Sequence, residues 1–335
     1  MLQNLEAVNN EFPWFFATVV FIFGCCWGSF LNVVIYRVPK KLSVVTPRSF
    51  CTTSKKPIPW YDNIPILSWI ILGGKSRFDR QPISIRYPAV ELLTGILFLC
   101  AWLLLPPVVA LVGFPFIAIL IAGTWIDLDH MILPDFSTIG GMLLGVLLSF
   151  LFPALHDYAT GEPFLVEGIR SMIVAVIGIF VGSGVILWIA ILAESILKKE
   201  AMGFGDVLFM GCIGAFCGWQ GALFAVFGGA LIGTIVVIPL MIMEKLFGIK
   251  IPALGNVENS QSEESAGKDT SKETKEPTSE DKADDSKEDT DLKMGTAIPF
   301  GPWLALGAVI YYIFLRGPVD NYFYTLQELL FGQTW

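Results

Sequence analysis

Apolar stretches about 17–25 residues long recur along this chain, and that length matches one helical crossing of a lipid bilayer. No other feature narrows the fold so far. Inside lipid every backbone N–H and C=O must be satisfied within the structure, which leaves helices or closed barrels, and runs this long read as helices. We place eight spans at 13–36, 87–105, 108–126, 136–152, 169–193, 206–219, 221–243 and 298–315. Only 16% of the residues are charged and 54% are hydrophobic, whereas a soluble domain carries about 25% charged residues. The expected fold class is an all-α polytopic membrane protein, and a soluble globular enzyme is excluded.

Charge sets the expected orientation. Residues 37–86 hold ten Lys and Arg residues against Asp62 and Asp79, and basic loops stay on the cytoplasmic side. With eight helices and the N-terminus outside, 20 of the 22 Lys and Arg residues fall inside, leaving only Arg170 and Arg316 outside. The first twelve residues carry no Lys or Arg, unlike the start of a secretory signal peptide, so span one is read as retained. The expected organisation is a first span over 1–36, a cytoplasmic basic loop subdomain over 37–86 and a membrane core over 87–250. A disordered acidic cytoplasmic insert over 251–297 and a last span with an outer tail over 298–335 complete the chain.

The insert accounts for nearly all of the net charge of −8, because residues 256–293 contain 13 acidic and 6 basic residues and no aromatic one. Such a tract cannot bury enough apolar surface to offset its ordering entropy. Of the six cysteines, Cys25, Cys26, Cys100, Cys212 and Cys217 sit in apolar segments and Cys51 stands alone in a polar loop. No disulfide framework is expected. No nucleic-acid partner is expected either.

The same topology carries the chemistry. It brings the end of span three, Asp127, to the same membrane face and a similar depth as the start of span six, Asp206. Ionisable groups at such a boundary are costly and need a partner or a wet cavity. Two carboxylates side by side cannot both ionise readily, so one holds a proton. A pair of that kind hydrolyses peptides: the charged member accepts a proton from attacking water while the neutral member donates to the carbonyl oxygen. Capping or solvation is the plainer role for a boundary aspartate, and it is the expected one for Asp129 and Asp135. Gly203 and Gly205 precede Asp206 and let backbone or substrate approach closely. Span six is short, about 20 Å at 1.5 Å per residue, so either its helix begins earlier or Asp206 lies below the membrane surface.

At these residues the chain resembles a known family. GFGD at 203–206 is similar to the GxGD motif of intramembrane aspartic peptidases, and IDLDHMILPD at 126–135 to the first catalytic segment of type IV prepilin peptidases. GSFLNVVIYRVP at 28–39, DNIPILSWIILGGK at 62–75, ISIRYPAVELLTG at 83–95 and PFGPWLALGA at 299–308 follow in family order. The resemblance implies a bacterial inner-membrane aspartic endopeptidase with Asp127 and Asp206 as its catalytic pair. Its substrates would be type IV prepilin or pseudopilin precursors, cut on the cytoplasmic side. It also implies S-adenosylmethionine as methyl donor for N-methylation of the new N-terminus. Asp129, Glu91 and Glu200 are candidates for attracting a basic leader. Many members carry two CxxC pairs in the first loop, where this chain has Cys51, Ser54, Ser76 and Asp79, so no tetrathiolate zinc site is expected. The loop would then hold itself by packing through Trp60, Ile64, Ile66 and Trp69. Leu208 replaces a lysine common in the family.

Three rival readings stand beside this one, among them a catalytically dead assembly factor that keeps the fold. Another is a GxGD peptidase acting on another substrate class. The last is a proton-coupled transporter that uses intramembrane aspartates as relays.

Overall fold

The computed structural model describes residues 11–46, 58–198, 202–247 and 299–332. The acidic tract, Cys51, Ser54 and Glu200 lie outside them. The chain divides into two compact units, Met1–Ile235 with Pro299–Trp335, and Val236–Ile298; everything below concerns the first unless stated.

The helices are α1 Pro13–Arg37, α2 Leu67–Ile71, α3 Arg86–Leu104, α4 Pro107–His130 and α5 Ile139–Leu151, followed by α6 Phe164–Leu197, α7 Phe204–Phe247, α8 Gly301–Ile310 and α9 Arg316–Phe331. Among the described residues six helical stretches are long and apolar enough to cross a membrane, and α5 is a shorter apolar helix. The protein is an all-α polytopic membrane protein. α7 continues beyond Ile235 into the second unit.

Spans six and seven of the sequence reading are two limbs of α7, joined at Gly218, whose φ of 67° and ψ of −176° break the helix. A straight helix would hold Met210 and Ala222 about 18 Å apart. Instead both lie against Gly182 of α6, where a Cβ would meet the Met210 carbonyl oxygen at 2.8 Å and the Ala222 Cβ at 3.3 Å. The chain therefore folds back at Gly218, a conformation that favours glycine. The second limb returns alongside α8, where Gly229 and Gly233 pack on Trp303.

Without a hydrophobic drive between helices in lipid, small residues let backbones come close and gain packing energy. Glycines four apart do this repeatedly. Gly24 and Gly28 of α1 face Gly95, Thr94 and Glu91 of α3, Gly141 and Gly145 of α5 face Cys212 and Ala215, and Gly178 of α6 meets Gly214 backbone to backbone. Stacked rings fill the remaining space, Phe98 on Phe114 at 4.4 Å and Phe116 on Phe216 at 4.5 Å.

Three expectations need correction. α6 extends beyond 169–193 at both ends, to about 51 Å, because Phe164–Val166 and Ser195–Leu197 continue it without a breaker. The last span does not end at Leu315: a π-helical turn over Tyr311–Leu315 leads into α9. Pro318 has no N–H to offer the preceding turn, and the wider turn absorbs that loss. In the first loop, Trp69 donates its indole N–H to the Ile83 carbonyl at 3.0 Å and rests on Gly74. Trp60 is 77% exposed and meets the edge of Tyr61, and Ile64 is 39% exposed. A bidentate Arg77–Asp62 pair, both bonds 2.7 Å, ties the loop together instead.

Candidate active site

The site forms where α4 ends and α7 and α8 begin. Asp127 lies in the last turn of α4, whose left-handed Met131 caps the helix by donating its N–H to the Asp127 carbonyl at 2.8 Å. Asp206 lies in the first turn of α7. The two helices are aligned one turn away, where Gly123 of α4 packs on the Phe209 ring. One turn onward along α4 is Asp127, and about one turn back along α7 is Asp206.

Both side chains converge on the first residue of α8. A Cβ placed on Gly301 would lie 2.6 Å from Asp127 Oδ2 and 3.6 Å from Asp206 Oδ1. Those two distances together are the most that can separate the oxygens. Asp127 is 6% exposed, and its Oδ2 is buried without a hydrogen-bond partner. Asp206 is half-buried. No Lys, Arg or His side chain among the described residues pairs with either. What faces them is backbone at the helix starts: the Gly301 group of α8 beside Asp127 and the Gly203 group just before α7 beside Asp206, ends of helices that favour negative charge.

The remaining candidates separate. Gly205 packs on the Leu133 side chain at 3.3 Å, and Gly203 is exposed beside Asp206, whose N–H it accepts at 3.1 Å. Asp129 points away from the dyad and pairs with Arg86 at 2.6 and 2.8 Å, while the Arg86 guanidinium lies over the Trp125 ring. Asp135 is exposed, and its carbonyl accepts the Gly140 N–H. Glu91 lies on α3 and accepts the Ile66 N–H at 2.7 Å, which holds Ile66 at its positive φ of 61°. The structure thus brings Asp127 and Asp206 together and places the side chains of Asp129 and Glu91 against other partners. Gly301 is the residue that sequence reasoning missed; its segment, PFGP, was noticed only as a likeness.

Comparison with known proteins bears on this geometry. The Bacterial Peptidase A24 N-terminal domain matches residues 22–105, and the Type IV leader peptidase family matches residues 114–238, which include both aspartates. A "Prepilin leader peptidase/N-methyltransferase" of Klebsiella pneumoniae is 36% identical over 231 residues, covering 66% of this chain and 94% of its own length. The chain belongs to the type IV leader peptidase family. A similarly named protein of Myxococcus xanthus is 38% identical over 233 residues, 67% of this chain and 64% of its own length. A "Type 4 prepilin-like proteins leader peptide-processing enzyme" of Escherichia coli is 35% identical over 230 residues, 63% of this chain and 80% of its own. No solved structure matches. Family members named in this way are peptidases, so the transporter reading loses its ground. The short sixth span that favoured it is explained by the chain reversal at Gly218.

Proposed function

We propose that this protein removes the leader peptide of type IV prepilin-like precursors through an Asp127–Asp206 dyad, and then N-methylates the new N-terminus. The observation that carries the peptidase reading is the convergence of two carboxylates, with no cation between them, on the space kept by Gly301. Repulsion between like charges leaves the pair with one proton and one charge. The starts of α7 and α8 stabilise the charge that remains. Water held between the two oxygens loses a proton to the charged member as it attacks the scissile carbonyl. The protonated member donates to the carbonyl oxygen, and the roles reverse when the amine leaves. The titration belongs to the pair and not to either residue. Gly301 supports this by leaving room for water and an extended peptide beside Asp127.

The site faces the cytoplasm of a bacterial inner membrane in this reading, as the Lys and Arg distribution supports. A precursor's basic leader then stays in water while its apolar helix lies in the bilayer. Asp129 is committed to Arg86, so it steadies the end of α4 rather than attracting the leader. For the second step, S-adenosylmethionine supplies an electrophilic methyl group on a sulfonium.

The test is cleavage of a prepilin-like peptide by the purified full chain in detergent, with the product N-terminus read by mass. Wild type should cut just after the leader, and Asp127→Asn and Asp206→Asn should fail while remaining folded. Cutting by Asp127→Asn at the wild-type rate would sink the dyad. With S-adenosylmethionine present, the product should gain the mass of one methyl group.

A further inference from the structure

Arg86 is the first residue of α3, and Asp129 lies in the last turn of α4. Helix starts disfavour cations and helix ends disfavour anions, so neither charge serves the helix that carries it. Each suits the other's helix, and there they meet. The Arg86 guanidinium donates to Asp129 Oδ1 at 2.8 Å, and its buried Nη2 lies 2.6 Å from Oδ2. Its central carbon stands over the Trp125 ring, 4.6 Å from the centroid. Trp125 and Asp129 are four residues apart on α4 and so share a face. One side chain therefore grips that face at two positions, and Asp127 lies between them in the chain.

Both sides of the grip are anchored. On the α3 side, Asn32 of α1 donates at 3.0 Å to the carbonyl of Tyr87, the residue after Arg86. On the α4 side, Met131 donates to the Asp127 carbonyl, and Leu133 then meets Gly205, the neighbour of Asp206. Arg86 belongs to the first matched domain, whereas Trp125, Asp129 and both dyad aspartates belong to the second. The contact ties one domain to the turn that carries Asp127. Stability does not account for it, because the two side chains are 30% and 33% exposed and ion pairs that open contribute little. What a planar, two-pronged contact supplies is orientation.

We propose that Arg86 is a positioning residue of the peptidase. By holding Trp125 and Asp129 it sets the rotation and depth of the last α4 turn, and with them the place of the Asp127 carboxylate opposite Asp206. The inference rests on the dyad reading above and adds that the first domain fixes part of the dyad's geometry. In this role Arg86 does not touch the substrate and acts only through α4. Asp127 has little slack to absorb a shift of that turn, because its Oδ2 lies 2.6 Å from the Cβ position of Gly301. A misplacement of about 1 Å at a reacting group costs up to about 10²-fold in rate.

The experiment is steady-state cleavage of a prepilin-like peptide by the full chain in detergent, over a range of peptide concentrations. Wild type, Arg86→Gln, Arg86→Lys, Asp129→Asn and the Arg86→Gln/Asp129→Asn double variant would be compared, with Asp206→Asn as the dyad reference. Rates are taken per folded molecule, below every melting temperature, and Asp129→Asn and Arg86→Lys decide the matter if Arg86→Gln does not fold. Arg86→Gln and Asp129→Asn should each lower kcat by about 10- to 100-fold and leave KM within about threefold of wild type. Arg86→Lys should lose nearly as much, since a point charge cannot reproduce the planar fork. The double variant should be no slower than the slower single one, because no contact is left to break. Full activity in Arg86→Lys would reduce the pair to its charge and overturn the inference. A raised KM at wild-type kcat would make the pair a leader contact, and multiplied losses in the double variant would make the two residues independent; either overturns it. Wild-type kcat in Arg86→Gln beside a dead Asp206→Asn would remove this inference alone. Wild-type cleavage by Asp206→Asn would remove the dyad reading and this inference together.

Discussion

The first unit buries charge at both ends of α4, in opposite ways. At one end Asp127 and Asp206 are like charges with no cation paired to them, and an oxygen of Asp127 has no partner. At the other end, about 20 Å away along the helix from Asp127 to Gly113, opposite charges are paired, although Arg316 Nη1 is also buried without a hydrogen-bond partner. Tyr312 donates to the Val109 carbonyl at 2.9 Å, and Tyr311 donates to Asp320 at 2.7 Å. Arg316 donates to the Leu155 carbonyl and pairs with Asp157 at 3.2 Å and Asp320 at 3.9 Å. His156 meets Ser149 at 3.2 Å. A buried group left without its complement is a standing cost, tolerated where a substrate or water will supply the missing partner. A matched network instead fixes geometry, here the π turn, the short loop after α5 and the reversal at Gly218, whose Cβ position lies 3.8 Å from the His156 ring. The difference separates a site built to react from one built to hold.

That contrast makes its strongest demand on the dyad. Asp127→Asn and Asp206→Asn should each lower cleavage by about 10³-fold or more, as expected for losing a positioned acid or base. Their thermal stability in detergent should hold or rise, because the cost of holding a buried carboxylate without a cation partner is reduced. A large stability loss with residual activity would reverse the assignment of the two ends. Arg316→Ala should show the mirror image. Removing one partner of a buried network costs about 3–5 kcal/mol, so the melting temperature should fall well below that of wild type. Turnover per folded molecule should stay near wild type, measured at a temperature where both are folded.

Gly301→Ala is a finer cut, because it changes neither charge. Its methyl group would arrive 2.6 Å from Asp127 Oδ2 and displace the carboxylate or the water. A misplacement of this kind costs up to about 10²-fold in rate, and the effect should fall on kcat more than on KM. Wild-type turnover would show that the space beside Gly301 is unused.

What could be read beforehand follows from the range of the interactions. Span positions, and the meeting of Asp127 with Asp206, rest on apolar length and charge bias, both local properties of the chain. The Gly301 contact was not legible, since it pairs residues 127 and 206 with a segment beyond the acidic tract. Arg316 falls outside by the parity of the eight spans, which says nothing of what it touches. Its partners, Leu155 and Asp157, lie far away in sequence. The glycine pairs four apart, 24 with 28 and 178 with 182, stood in plain view as close-packing signals and went unread. Trp60 and Trp69 look equivalent in sequence, yet among the described residues only Trp69 finds an acceptor for its indole N–H.

The smallest effect separates the two ends by pH. His156 lies outside the membrane-spanning helices, and burial, helped by the positive charge of Arg316, pushes its pKa down to about 3. Asp157 and Asp320 are already engaged by Arg316 and do not reverse this. The unfolded chain takes up the proton near the ordinary value of 6.5, so between pH 6.5 and 3 the unfolded state binds more protons. Stability therefore falls as pH drops through 6.5, by on the order of 1 kcal/mol at pH 5.5. Above pH 7 the contribution is flat. His156→Gln keeps a polar group for Ser149 and removes the titration, so its melting temperature should fall less than wild type's from pH 7 to 5.5. The pH dependence of cleavage should be the same in both proteins, because the dyad titrates at the other end of the bundle. A cleavage profile that moved with His156→Gln would couple the two ends and break the division between reacting and holding. An unchanged profile with a flattened stability curve would sharpen that division to single residues.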